Sequence, residues 1–277
     1  MLLLAIIWGS SFILIQEALK TFYFAEVGAI RLVAAGITGL LFAGKALKKI
    51  PRNKIRHAVI YGFFGAGVPA YLFPFGQQEV ESSVSGILNG LSPVFVFLIG
   101  VAIFKTPFHF GKAIGIVVAF CGGALLLLQS HEEGTSNWIY GAIIILATIF
   151  YGISSNILKV YLQQVPPVAI AAIGFSAMGL LSLPYLFVAD IPKHFFENAY
   201  AWKSLAAILV LAVFGSAIAA MMFSKLVQRT TALFGASVTF IMPVIAVGWG
   251  LVAGESIGLF HAAGMLLIIL GVYLISR

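Results

Sequence analysis

The sequence predicts an all-α integral membrane protein: ten transmembrane helices arranged as two inverted five-helix repeats around a central cavity. Three observations carry this. Hydrophobic residues make up 61% of the 277 and charged residues 9%, with a mean hydropathy of +1.09, whereas a water-exposed surface needs about 25% charge. The apolar residues gather into ten runs, each near the roughly 20 residues that cross a hydrocarbon core about 30 Å thick. The chain also reads twice. Leu88 to Gly100 aligns with Val238 to Gly250, placing Pro93 on Pro243, Val94 on Val244 and Gly100 on Gly250, and a one-residue gap brings Gly115 and Gly122 onto Gly264 and Gly271. Earlier, TrpGlySerSerPhe from Trp8 echoes TyrGlyIleSerSer from Tyr151. A repeat this long exceeds any solenoid unit and points to duplicated membrane halves, residues 1–130 and 136–277.

Residues 2–19 start without a basic leader and run into Gln16 and Glu17 with no small-residue cleavage signature, so the expectation is a retained helix and not a signal peptide. Residues 26–44 hold Arg31. Residues 56–75 include GlyAlaGlyValProAla from Gly65, which fits the dinucleotide fingerprint by spacing but has no strand before it and contains Pro69. Residues 82–104 are centred on Pro93, and Ser82, Gly86 and Gly90 form a small-residue stripe suited to close helix packing. Residues 110–128 carry a second stripe, Gly111 and Gly115, and the sole cysteine, Cys121, which excludes a disulfide framework or thiolate metal site. The second half follows as 138–160, 168–188, 204–224, 230–252 (centred on Pro243) and 258–275. Interior prolines and glycines, and the lack of period-two alternation, argue against a barrel.

Charge placement orients the runs. With both termini on one side, one set of loops gathers Lys45, Lys48, Lys49, Arg52, Lys54, Arg56, Lys105, Lys112, Lys159, Lys225, Arg229 and Arg277, while the other has only Lys20, Lys193 and Lys203. Basic loops stay cytoplasmic, so both termini are expected in the cytoplasm of a cell membrane, a bacterial inner membrane. The net charge of +7 is then a topology signal with lipid-headgroup attraction, and no nucleic-acid partner is expected. Five helices per repeat force the second copy to insert upside down. The loop charges agree: Lys45 to Arg56 face Asp190, Lys193 and Glu197; Glu79 and Glu81 face Lys225 and Arg229; Lys105 faces Glu255. That inversion is the arrangement of secondary transporters, whose halves exchange conformation to open a midplane site to each side in turn.

In these features the chain resembles the EamA-type transporters of the drug/metabolite transporter superfamily. The resemblance rests on two five-helix repeats, TrpGlySerSerPhe at Trp8, Arg31 in the second helix, and the proline-centred fourth and ninth helices. It implies a basket of helices one to four and six to nine around the cavity, supported from outside by five and ten. It also implies export or exchange of small metabolites, often amino acids, without ATP. Two positions depart from the family pattern: Lys105 stands where such repeats often carry a glutamate like Glu255, and no proline shortly precedes Arg31.

The candidate site follows from the polar groups within apolar spans. Pro93 and Pro243 lack an N–H and clash with the carbonyl four residues back, so they should bend their helices and free the carbonyls of Asn89 and Thr239. In lipid such carbonyls must be buried in protein or face a water-filled cavity. With the side chains of Asn89, Ser92 and Thr239 they make a polar patch; a structural kink alone, or a kink that lines a cavity and gates it, both stay open. Arg31 must find a partner, since a guanidinium in hydrocarbon costs at least about 2.5 kcal/mol. Glu17 or Glu26 is the favoured partner, and a bidentate contact to a substrate carboxylate is the alternative. Trp8, Tyr71, Tyr151, Phe240 and Trp249 suit an aromatic-lined pocket, although most aromatics here must be packing or interfacial anchors. Gln16, Gln77, Ser155 and Asn156 add hydrogen-bonding capacity.

No catalytic set is visible. There is no Walker loop; His57, His109, His131 and His194 fall in loops or at helix ends, and His261 stands alone. No cofactor or metal is expected. The leading expectation is a secondary active or facilitative transporter of small, amphiphilic or aromatic metabolites, with membrane lipid as the other partner. Protons are a candidate coupling ion, with Glu17 as the nearest carboxylate. An intramembrane lipid-modifying enzyme would need clustered His, Asp or Glu within the spans, and a passive channel a continuous polar stripe.

Overall fold

A computed structural model describes residues 1–107, 111–132 and 138–276; His109, Glu133 and Arg277 lie outside them. The described residues form an all-α membrane bundle. Its helices are α1 (Leu2–Leu19), α2 (Phe24–Ala43), α3 (Arg52–Gly76), α4 (Ser82–Ala102), α5 (Gly111–Glu132), α6 (Trp138–Tyr161), α7 (Pro167–Val188), α8 (Ala201–Arg229), α9 (Ala232–Ala253) and α10 (Leu259–Ser276), with a short helix Ile191–Glu197 before α8. Nine are long and apolar enough to cross a membrane, and α5 holds the shorter apolar stretch Lys112–Leu127. Each coincides with one of the ten expected runs.

Local chemistry sets the ends. The Glu26 carboxylate reaches back to accept from the Tyr23 N–H at 2.9 Å, closing the first turn of α2. Pro167 occupies the first turn of α7, where a missing N–H costs nothing. Gly254 ends α9 in the left-handed region at φ 85°. Lys105 adopts the same region after α4 at φ 58°. Two lysines expected as free loop charges are spent on helix ends: Lys112 donates to the Ile275 carbonyl at 2.6 Å, and Lys159 donates to the carbonyls of Val227 and Thr230. Arg52, Lys54 and Arg56 lie in the first turns of α3 and not in the loop before it.

α1 is interrupted at Ser10, and four further helices are irregular where they meet the site. The prolines do not bend continuous helices as expected. α4 breaks after Asn89 and restarts at Ser92, with Pro93 as the second residue of the new segment; α9 passes through a 3-10 turn, Ser237–Phe240, and restarts at Met242 with Pro243 second. Starting a new segment lets each proline avoid the clash that would otherwise bend the helix. α3 and α8 each widen into a π turn, Phe63–Gly67 and Leu211–Ile218.

Packing brings helices distant in sequence together. α2 lies along α7 and α5 along α10 as the most extensive helix pairs, and α4 crosses α9. Small residues permit this. A β-carbon at Gly115 would lie 2.5 Å from the Gly271 carbonyl oxygen, one at Gly122 2.7 Å from that of Gly264, and one at Gly86 2.2 Å from Ala246 Cβ.

The Gly250 carbonyl accepts the Glu255 N–H at 2.9 Å, and the Gly100 carbonyl accepts the Thr106 N–H at the same distance. The residue equivalent to Glu255 is therefore Thr106, and Lys105 is the equivalent of Gly254. This corrects the Lys105–Glu255 pairing by one residue, because the first loop has one residue more.

Candidate functional site

A cavity of about 110 Å³ sits in the middle of the bundle, well above the roughly 10–15 Å³ that one water needs. Its wall comes from α1 (Trp8, Ser11, Phe12, Ile15), α2 (Arg31, Leu32), α3 (Tyr61, Gly65, Ala66, Phe73), α4 (Asn89, Ser92, Val96), α6 (Tyr151, Ser154, Ser155), α7 (Phe175), α8 (Gly215, Ser216, Ala220, Phe223) and α9 (Ala236, Thr239, Met242). Among the described residues α5 and α10 contribute nothing to it.

The irregular turns face this space. A π turn releases carbonyls from the regular ladder, and side chains take them up: Trp8 donates through Nε1 to the Gly215 carbonyl at 2.9 Å, and the Ser216 hydroxyl donates to that of Leu211 at 3.1 Å. Just before the α3 π turn, the Ser154 hydroxyl of α6 donates to the Tyr61 carbonyl at 3.2 Å. At the α4 break, the Asn89 carbonyl accepts from the Ser92 hydroxyl at 2.8 Å. That carbonyl is therefore not free as expected.

Arg31 departs from its favoured pairing. Glu26 is engaged by His194 at 3.0 Å, and Glu17 by Lys20 at 2.5 Å. Arg31 donates through Nε to the Ser216 hydroxyl at 2.8 Å and has no carboxylate partner among the described residues. The physical reason is distance along the helix: Glu26 is committed to the first turn of α2, while Arg31, more than a turn further on, points into the cavity.

Of the other expected site residues, the structure brings Trp8, Asn89, Ser92, Tyr151, Ser155 and Thr239 onto the cavity wall. It does not bring the rest there. Tyr71 donates to Ser182 at 2.8 Å, tying α3 to α7. Gln77 donates to the Phe12 carbonyl at 2.8 Å, and Asn156 donates to the carbonyls of Val96 and Gly152, each at 2.9 Å. Gln16 is partly buried off the cavity, Phe240 packs against the core and Trp249 donates to Ser10 at 2.8 Å. Pro93 and Pro243 sit behind the wall, where they begin the helix segments that present Ser92 and Met242. Glu17 is likewise off the cavity. Sequence reasoning missed Tyr61, Ser154 and, above all, Ser216. A signal for Ser216 existed: PheGlySer at Phe214 repeats PheGlyAla at Phe64 with the same offset as the two prolines.

The wall is otherwise aromatic. Trp8 packs against Phe223 with ring centroids 5.2 Å apart, and Phe73 stacks on Tyr151 at 5.8 Å. Polar groups on the wall include Arg31 with Ser216 as its hydrogen-bond partner, and Asn89, Ser92 and Thr239. The Thr239 hydroxyl is buried and has no hydrogen-bond partner among the described residues.

Comparison with known proteins agrees with this architecture. An uncharacterized transporter of Archaeoglobus fulgidus is 23% identical over 98% of this chain and 95% of its own length. An S-adenosylmethionine/S-adenosylhomocysteine transporter of Chlamydia trachomatis is 27% identical over 95% of this chain and 84% of its own. The uncharacterized inner membrane transporter YedA of Escherichia coli is 26% identical over 99% of this chain and 88% of its own. A solved crystal structure with 16% identity superposes with a TM-score of 0.68, covering 98% of this chain and 93% of that one, which shows a shared fold. The EamA-like transporter family matches residues 1–128 and 138–277, and the chain, a multi-pass membrane transporter, belongs to that family.

Proposed function

We propose that the chain carries amphiphilic metabolites about the size of an amino acid across the membrane by alternating access, as an exporter or exchanger. The observation that carries this reading is the cavity itself: eight helices line it, and four irregular ones meet it at matching places in the two halves. α4 and α9 break beside Pro93 and Pro243, and α3 and α8 form π turns at Gly65 and Gly215. Helices with such local breaks have two low-cost arrangements, which rigid-body rocking of one half against the other requires. The halves are 1–130 and 136–277, inverted relative to one another. The double family match and the pairing of α2 with α7, α4 with α9 and α5 with α10 support them. Both termini face the cytoplasm, as the basic α2–α3 connection indicates.

The wall residues Trp8, Arg31, Asn89, Ser92, Tyr151, Ser155 and Thr239 bind the solute. No carboxylate lines the cavity among the described residues, which favours facilitated diffusion or exchange over proton coupling through Glu17. Counterflow in proteoliposomes tests the reading, using amino acids, organic acids, S-adenosylmethionine and S-adenosylhomocysteine, each with and without a pH gradient. At least one solute should exchange with saturation; flux indistinguishable from empty vesicles for every solute would refute transport. Pro93→Ala and Pro243→Ala should lower that flux about tenfold or more while shifting thermal unfolding little, because alanine lets the break heal into continuous helix. Unchanged flux would remove the prolines from the gating motion.

A further inference from the structure

The cavity carries a formal charge that nothing on its wall balances. Arg31 is its only cation, and no aspartate or glutamate lies among the described wall residues. The nearest acidic groups along the chain are committed, Glu17 to Lys20 and Glu26 to His194. Nε of Arg31 is held by Ser216 at 2.8 Å, so the guanidinium plane is fixed. Its terminal nitrogens donate to no described residue, and Arg31 keeps accessible surface within the bundle. An unpaired guanidinium among apolar helices is costly, and an anion of the right shape removes that cost. The two terminal N–H groups match the two oxygens of a carboxylate.

The same inventory disfavours an ammonium. In an α-amino acid the ammonium sits on the carbon that bears the carboxylate, so a carboxylate seated on Arg31 brings the ammonium into the same region. No aspartate or glutamate lines the cavity among the described residues to balance it there, and a buried ammonium without a carboxylate is costly. The same wall holds the buried Thr239 hydroxyl, unpartnered among the described residues, which suits a neutral hydrogen-bonding group. We propose that the substrate is an organic monocarboxylate with an apolar or aromatic body, whose carboxylate binds Arg31, and that zwitterionic amino acids and organic cations are disfavoured. This rests on the transport reading and narrows it.

Three probes differing only in the head group test it: 3-phenylpropanoate, phenylalanine and 2-phenylethylamine, titrated by calorimetry into the purified full chain. 3-Phenylpropanoate should bind with a dissociation constant at least about tenfold below that of phenylalanine, and 2-phenylethylamine most weakly. Arg31→Gln should erase the order. Arg31→Lys, which keeps the charge but not the fork, should preserve the order at lower affinity and serves if the glutamine variant does not fold. The proposal is overturned if phenylalanine, 2-phenylethylamine or S-adenosylmethionine binds more tightly than 3-phenylpropanoate, if none of the three probes binds, or if Arg31→Gln leaves the order intact. Counterflow of the same probes separates the two claims. Anion-selective binding without flux refutes transport alone, and flux of phenylalanine in preference to 3-phenylpropanoate refutes the carboxylate assignment alone.

Discussion

Replacing Glu255 by alanine should loosen the end of the bundle where α4 begins and α9 finishes, lowering stability by about 3 kcal/mol, the value of two to three hydrogen bonds to a carboxylate at a half-buried site. The Glu255 carboxylate accepts from the Ser82 N–H at 2.9 Å, the Ser82 hydroxyl at 2.5 Å and the Ser83 N–H at 2.9 Å. These N–H groups are orphan donors of a helix N-terminus, where a negative charge is also favoured by the helix dipole. The contact ties the start of α4 to the residues just after α9, so it is a latch as well as a cap. In a Cys121→Ser background, a cysteine at Ser83, which is fully buried, should react with maleimide slowly; adding Glu255→Ala should speed the reaction about tenfold or more, in step with a 1.4 kcal/mol or larger shift toward the open end. Equal labelling rates would show that Glu255 does not hold this end shut.

The contrast between Glu255 and Arg31 shows what the sequence made legible. The ten spans could be read because lipid imposes length and apolarity on each one separately. The internal repetition was visible because Pro93 and Pro243 share an offset with a following glycine, Gly100 and Gly250. Where those prolines would sit within their helices was harder to see. A proline can bend a helix or restart it, and the choice depends on whether Ser92 can reach back to the Asn89 carbonyl, which is a matter of tertiary space.

The π turns were illegible for the same reason. Gly65 and Gly215 permit a widened turn, but only their neighbours demand it: a β-carbon at Gly65 would meet the Ser154 hydroxyl at 2.3 Å and one at Gly215 the Ser11 hydroxyl at 3.0 Å. The partner of Arg31 was misread because sequence proximity favoured Glu17 and Glu26, whereas Ser216 lies on α8 in the other half. Gln77 and Asn156 looked like ligand groups and are helix clips. A buried amide in lipid finds a carbonyl on the next helix as readily as it finds a solute.

The most severe loss should follow Gly62→Val. α3 and α7 cross at Gly62 and Gly174, where a β-carbon at Gly62 would lie 2.4 Å from Gly174 Cα and 2.6 Å from its carbonyl oxygen, and one at Gly174 would lie 3.0 Å from Gly62 Cα. Both partners at this crossing are backbone, so no side-chain rotation relieves the overlap and the helices must separate. α7 is also pinned on its other face, since Gly179 approaches the Leu32 carbonyl and Gly39 approaches Ala172 Cα, each at 2.9 Å for an added β-carbon. It therefore cannot retreat. Overpacking of a close contact costs about 3 kcal/mol, and here it displaces Tyr61 and Gly65 from the cavity wall as well. Gly62→Val should yield protein that aggregates on extraction or unfolds at a markedly lower temperature by size-exclusion and thermal-shift measurement. Gly248→Ala provides the control, because a β-carbon there meets nothing within 4 Å and alanine gains helix propensity of up to about 1 kcal/mol over glycine; that variant should be as stable as the parent or more so. If the two substitutions behave alike, close backbone contact between α3 and α7 is not what holds these helices together, and the cavity they frame would need another explanation.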